Sequence, residues 1–169
     1  MRNVEHPRRD EHHAVLAVAG WPAAEGSLPL ADRTFAEDSI SVRRLKGAGA
    51  VAAVQTTSSE FGGTNQTTTK IHGATRNPWN PDRTPGGSSG GSAAGVAGGI
   101  FTLATASDGG GSIRIPAGFC GLFGLKSTFG RIPRGPGIIL GNATSVEGSV
   151  SRSVRDSARF LDVTNGFDL

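Results

Sequence analysis

One cysteine, Cys120, stands alone in 169 residues. An intramolecular disulfide and a cysteine-built metal site are thereby excluded. The apolar run GFCGLFGL around it suits a small buried hydrophobe better than a nucleophile. Tyrosine is absent and aromatic residues make up 6% of the chain, too few for the stacking platforms of a nucleic-acid surface. The net charge of +3 is small. Outside Arg8-Arg9 and Arg43-Arg44 the basic residues are scattered among acids, so no basic stripe forms. No apolar run approaches the ~18 residues of a membrane span. AVLAVAGWPAA (14–24), behind Arg2, Arg8 and Arg9, imitates a secretory signal, but Glu5, Asp10 and Glu11 occupy its basic region and Gly20 and Pro22 interrupt it. The expectation is a cytoplasmic protein with no nucleic-acid or membrane partner.

Glycine is what the chain has in excess: 26 residues, against an average share of roughly 7%. No collagen period organises them, so they mark turns and close backbone approaches. The length fits one domain with a buried core. Residues 1–13, MRNVEHPRRDEHH, read as a polar leader. TFAEDSISVRRLKGAG reads as a helix with a Thr34/Glu37 capping box, Ile40 and Leu45 near one face, and a stop at Gly47. AVAAVQT (50–56) reads as a short buried strand. Residues 62–91 carry loop chemistry throughout, and a loop of that length in a compact domain is usually functional. SAAGVAGGIFTLATA (92–106) reads as a helix of small residues suited to tight packing, and GLFGLKST as a buried strand. The last helix, SRSVRDSARFLDVTNG, is capped by Ser153 and Asp156, shows Val154, Ala158 and Leu161 on one face, and ends at Asn165-Gly166. Helices alternating with strands predict an α/β layered architecture, a mixed sheet with flanking helices.

Two serines sit in glycine-rich loops. GGSSG (86–90) fits the G-x-S-x-G nucleophile elbow, but that fold needs its histidine after the serine. All four histidines (6, 12, 13 and 72) precede Ser88, so the elbow is excluded. GFCGLFGLKST resembles a phosphate loop, but Leu125 separates Gly124 from Lys126, and a Walker loop needs Gly directly before Lys. SDGGGSIRIPAG (107–118) fits a third chemistry. Gly109, Gly110 and Gly111 before Ser112 can turn successive N–H groups into an anion-binding nest. Around a nucleophilic serine, such a nest is an oxyanion hole. Ile-Arg-Ile-Pro would wall the loop, and Asp108 and Arg114 bracket it as a pair that would fix it.

The stretch 86–133, GGSSGGSAAGVAGGIFTLATASDGGGSIRIPAGFCGLFGLKSTFGRIP, closely resembles the signature region of the amidase signature family. AEDSISVRRLKGAGAVAAVQTTSSEFGG, GATRNPWNPDRTPGG and GSVSRSVRDSARFLDV extend the likeness over roughly residues 15–165. The resemblance implies the amidase signature fold, incomplete at both ends, with residues 14–169 forming a partial domain. It also implies hydrolysis of linear amide C–N bonds by a Ser–cis-Ser–Lys relay that needs no cofactor or metal and takes a small-molecule amide. Ser112 would be the acylated nucleophile. Ser88, 24 residues earlier, would be the bridging serine on a cis peptide. The N–H groups of residues 109–112 would hold the oxyanion, with Ser89, Asp108 and Arg114 as supports.

The chain departs from the family at the lysine. In register it falls near His13, where no Lys-Asp pair exists. The lysines are Lys46, Lys70 and Lys126. Lys46 lies on the first helix, Lys126 matches a non-catalytic position, and Lys70 is the lysine left as a stand-in. His13 is a second candidate base, since imidazole titrates near neutral pH. The alternative reading is a catalytically impaired fragment or pseudoenzyme that keeps the nest but lacks the relay. A further alternative is the amidotransferase branch of the family, which acts on charged transfer RNA with partner subunits. SDGGGSIRIPA is closer to the general amidases than to that branch, whose loop more often reads Asp-Thr-Gly-Gly-Ser. A shortened member would leave apolar faces uncovered and prone to self-association.

Overall fold

Strand β5 (Val146–Ser151) is the middle of a three-stranded sheet, flanked by β3 (Leu103–Asp108) and β4 (Phe123–Lys126) in the order β3-β5-β4. Both pairings are antiparallel, with Ala106 opposite Gly148 and Gly148 opposite Lys126. The computed structural model describes residues 16–135 and 143–168. The leader 1–13, with His13, lies outside the described residues.

Side chains alternate along β5 with the period of two that a strand imposes. Val150 points to one face, where it joins Val96, Ala106, Ile113 and Ala117 in the core, with Phe101, Ala104 and Leu122 packed against them. Helices α2 (Gly90–Ala97) and α3 (Arg114–Phe119) supply that layer. Glu147, Ser149 and Ser151 point to the other face, toward α1 (Ile40–Gly47) and α4 (Val154–Thr164). Helices on both faces of a sheet give the expected α/β layering.

The ends of the elements follow local chemistry. The Ser153 hydroxyl accepts from the Asp156 N–H at 3.2 Å, capping α4. At the other end Arg44 of α1 donates to the Thr164 and Asn165 carbonyls at 2.8 and 2.7 Å, placing a cation at a helix C-terminus. The buried stripe of α4 is Ser157, Phe160 and Thr164, whereas Val154 and Ala158 of the expected stripe are exposed. Ser157 goes inward because its hydroxyl pairs with Ser149 and Ser151, at 3.0 and 2.8 Å. Polarity at that position therefore misleads a hydrophobic-pattern reading.

Five other segments differ from expectation. Helix α1 starts at Ile40, capped by the Ser39 hydroxyl, which accepts from the Val42 N–H at 3.4 Å. Thr34 instead bridges to Pro22 in extended backbone. Residues 50–56 form no strand and lie largely exposed, Val51 at 87%. With β3, they border a cleft of about 270 Å³ lined by Leu16, Val18, Val42, Leu45 and Leu103. The small-residue helix stops at Ala97, and Gly99 at φ +77° turns the chain so that 103–108 runs as strand β3. Ile113-Arg-Ile-Pro does not extend as a wall but enters α3, whose first turn accommodates Pro116 without demanding its missing donor. Within the expected long loop, Thr68–Thr69 (β1) and Gly73–Ala74 (β2) make a small antiparallel pair.

Glu147 is buried on β5, where the Ser41 hydroxyl of α1 donates to its carboxyl. Burial pushes this carboxyl above its ordinary range, and the Ser41 hydrogen bond and the Arg134 charge offset only part of that. A raised folded-state pKa means that stability is fully present below the unfolded value of about 4.3 and is lost as pH rises through the folded value. Glu147→Gln is therefore expected to match the parent in thermal unfolding at acid pH and to unfold at higher temperature than the parent at pH 8. Equal midpoints at pH 8 would contradict this.

Candidate active site

The two serine loops are tied together by their backbones. The Ser89 N–H donates to the Ser112 carbonyl at 3.3 Å, so the segments carrying Ser88 and Ser112 lie against each other. Both serines are buried, as is Ser89, whose hydroxyl accepts from the Ser107 N–H at 3.4 Å at the end of β3. The Gly87–Ser88 peptide bond is cis. The preceding glycines leave no room for side chains. A Cβ on Gly87 would come within 2.8 Å of the Gln66 backbone, and Gly86 has φ +83°.

Thr67, which carries no motif in the sequence, holds this segment from behind. Its hydroxyl lies 2.9 Å from the Gly86 carbonyl and 3.3 Å from that of Ser88, and it accepts from the Gly90 N–H at 3.1 Å. The Ser59 N–H donates to the Ser88 carbonyl as well, at 3.3 Å. Nothing local to TNQTTT signals this role, because the partners lie about twenty residues downstream.

Asp108 organises the glycine loop. Its fully buried carboxylate accepts from the Gly111 N–H at 2.8 Å, the Ile113 N–H at 3.2 Å and the Arg114 N–H at 3.3 Å. The Arg114 guanidinium grips it at 2.9 and 3.1 Å, and Lys126 Nζ at 2.9 Å. Burial by itself would raise this carboxyl, but the Arg114, Lys126, Gly111 and Ile113 hydrogen bonds outweigh it and hold the group well below the usual carboxylate range. The expectation that all four N–H groups of residues 109–112 face an oxyanion is corrected here, because Asp108 consumes the Gly111 N–H. The donors left are those of Gly109, Gly110 and Ser112, none of which bonds to another described residue. Gly111, at φ +119°, serves as the bend.

Two of the three lysines are held by carboxylates. Lys46 pairs with Asp38 at 2.7 Å, Lys126 with Asp108, and Lys70 is exposed beside the β1–β2 turn. Among the described residues no hydrogen bond joins a lysine to Ser88 or Ser112. Cys120 is buried, and desolvation pushes its thiol up to about 11, which suits an inert packing role. Among the described residues no group of three His, Cys, Asp or Glu side chains is placed to hold a metal ion.

Comparison with known proteins decides the family. The model of the family described as amidase matches residues 14–169. The chain belongs to the amidase family. A glutamyl-tRNA(Gln) amidotransferase subunit of Maridesulfovibrio salexigens is 43% identical over 153 residues, covering 90% of this chain and 31% of the relative. The corresponding subunit of Thermus thermophilus is 42% identical, over 90% and 32%. Among solved structures, 6-aminohexanoate cyclic dimer hydrolase superposes with a TM-score of 0.86 at 38% identity, over 90% of this chain and 33% of that one. A bacterial aryl acylamidase of the amidase signature enzymes superposes at 0.82 and 37%, over 92% and 33%. The amidase signature fold is therefore shared, and the chain spans about a third of the length of these relatives. Among the described residues no helix is long and apolar enough to cross a membrane.

Proposed function

We propose that the chain carries the acyl-transfer half of an amidase site and hydrolyses a small-molecule amide. The observation that carries this is the backbone bond from Ser89 to Ser112, which brings the two serine segments together beside a loop whose Gly109 and Gly110 N–H groups bond to no other described residue. In this reading Ser112 Oγ attacks the amide carbonyl as its proton passes to Ser88 Oγ, and the Ser88 proton passes to a base. The carbonyl oxygen becomes an oxyanion held by the N–H groups of Gly109, Gly110 and Ser112. Each such donor typically contributes roughly 10²–10³ in rate. The C–N bond then breaks as the relay returns a proton to the leaving nitrogen, and water releases the acid from Ser112. The base is Lys70 or His13, with the impaired chain as the alternative if neither serves.

A second reading rests on the curated relatives. Several glutamyl-tRNA(Gln) amidotransferase subunits match at 40% identity or more, which supports an amide-releasing subunit that works with partner chains. The site chemistry is the same in both readings.

Intact-protein mass spectrometry after incubation with a fluorophosphonate tests the site. The phosphorus bonds to an activated serine oxygen as fluoride leaves. A single adduct, absent from Ser112→Ala, is the expected result, and its loss in either Lys70→Ala or His13→Ala identifies the base. A folded sample that takes no adduct overturns the hydrolase reading in favour of the impaired chain.

A further inference from the structure

Lys126 fails the phosphate-loop test and matches a non-catalytic position in the family pattern, yet its ammonium has the densest polar surroundings of any lysine described. Nζ donates to the Asp108 carboxylate at 2.9 Å, the Asp108 carbonyl at 3.0 Å, the Gly109 carbonyl at 3.3 Å and the Thr144 carbonyl at 2.7 Å. It is partly buried at the end of β4, and β4 and β3 both pair with β5. A rigid sheet therefore presents the cation to the loop.

The two successive carbonyls matter most. In a trans peptide unit the C=O and the N–H point in opposite directions. The Asp108 carbonyl shares its unit with the Gly109 N–H, and the Gly109 carbonyl shares its unit with the Gly110 N–H. Among the described residues the cis bond is Gly87–Ser88, so both of these units are trans. A cation that draws both carbonyls to one side turns both N–H groups to the other. Glycine imposes no such choice itself, since it adopts either sign of φ readily.

We propose that Lys126 is a positioning residue of the oxyanion loop, holding the Asp108 and Gly109 carbonyls so that the Gly109 and Gly110 N–H groups face the reacting carbonyl. This rests on the proposed acyl-transfer reading for what the N–H groups bind. Asp108 and Arg114 brace the other half of the loop, from Gly111 to Arg114, so the two clamps divide the work. Lys126 sets the donors, and Asp108 sets the bend and the start of α3 that follows Ser112.

The test uses the full chain with Lys126→Met, which keeps the stem and removes the cation, and Lys126→Arg, which restores it. Two readouts are taken: the rate of fluorophosphonate labelling, and amide hydrogen exchange resolved to residues 109–112, β5 and α4. In Lys126→Met, labelling is expected to slow by roughly 10- to 100-fold. That is less than deletion of a donor, because the donors remain but wander. Exchange at Gly111, whose N–H bonds to the same Asp108 oxygen that Lys126 grips, is expected to rise on the order of tenfold while β5 and α4 stay unchanged. Lys126→Arg recovers most of both. Unchanged loop exchange in Lys126→Met overturns the proposal. So does faster exchange spread equally through β5 and α4, which marks general support of the fold. If the parent chain takes no label, the acyl-transfer reading falls while the exchange comparison still decides the role of Lys126.

Discussion

Asp108→Asn is expected to destabilise the chain by about 3–5 kcal/mol, the cost of removing one partner from a buried, hydrogen-bonded ion pair. The substitution preserves shape, so the loss is chemical. The Asp108 carboxylate is fully buried and accepts three backbone N–H bonds plus two cationic side chains. An amide has one acceptor oxygen, and its NH₂ would point at donors. Thermal unfolding should fall by about 10 °C for a chain of this size, and fluorophosphonate labelling should disappear with the ordered loop.

Arg114→Met provides the contrast. Its side chain is 57% exposed, so water screens its half of the pair and its loss should shift the unfolding midpoint far less than Asp108→Asn does. The pH dependence separates charge from packing. A depressed folded-state pKa contributes stability that is present above the unfolded value of about 3.9 and lost as pH falls below it. The gap between parent and Asp108→Asn is thus expected to shrink as pH drops below about 4. A gap that stays constant with pH would show that Asp108 acts by shape.

Gly148→Ala is expected to cost more than the roughly 1–3 kcal/mol of ordinary overpacking. A Cβ at this position would collide with the Leu125 carbonyl on β4 and come within 2.8 Å of Ile113 Cδ1. The obstruction is backbone of the neighbouring strand, which has no rotamer to change. Relief means parting β4 from β5 or pushing Ile113, in the core beside Ser112, off its seat. Gly118→Ala serves as control, because nothing lies within 4 Å of its Cβ position and it sits in α3. Its effect should stay within about 0.5 kcal/mol. Urea unfolding of the two variants measures both, and equal midpoints would refute the steric account.

The proximity of the Ser88 and Ser112 segments has a direct chemical consequence. A hydroxyl is a weak nucleophile until a neighbour accepts its proton, and in the proposed relay Ser88, on the segment that the Ser89–Ser112 backbone bond holds against Ser112, would be that neighbour. The tRNA amidotransferase subunits and the amide hydrolases to which the chain is similar share the fold over this region. The serine loops and the glycine run thus belong to a part of the fold that proteins of both kinds have in common.

The sequence by itself determined the features that act over a few residues. Ser153 and Asp156 at the start of α4, the stop of α1 at Gly47 and the bracketing of the glycine run by Asp108 and Arg114 all lie within a turn or two of their partners. The signature stretch pointed to the family, because spaced glycines and serines of that kind answer to backbone geometry that few other residues satisfy. Only the tertiary structure decided the rest. Thr67 finds Gly86, Ser88 and Gly90 across the loop, and Lys126 finds Asp108 and Gly109 through β5. Ser157 is drawn inward by serines on a strand that no helical period can foresee. Residues 50–56 have the composition of a strand, yet a strand exists only where a neighbour pairs with it, and none of the described residues forms a ladder with them. Short-range capping and turn chemistry is written into adjacent letters. Long-range pairing depends on which surfaces the folded chain brings face to face.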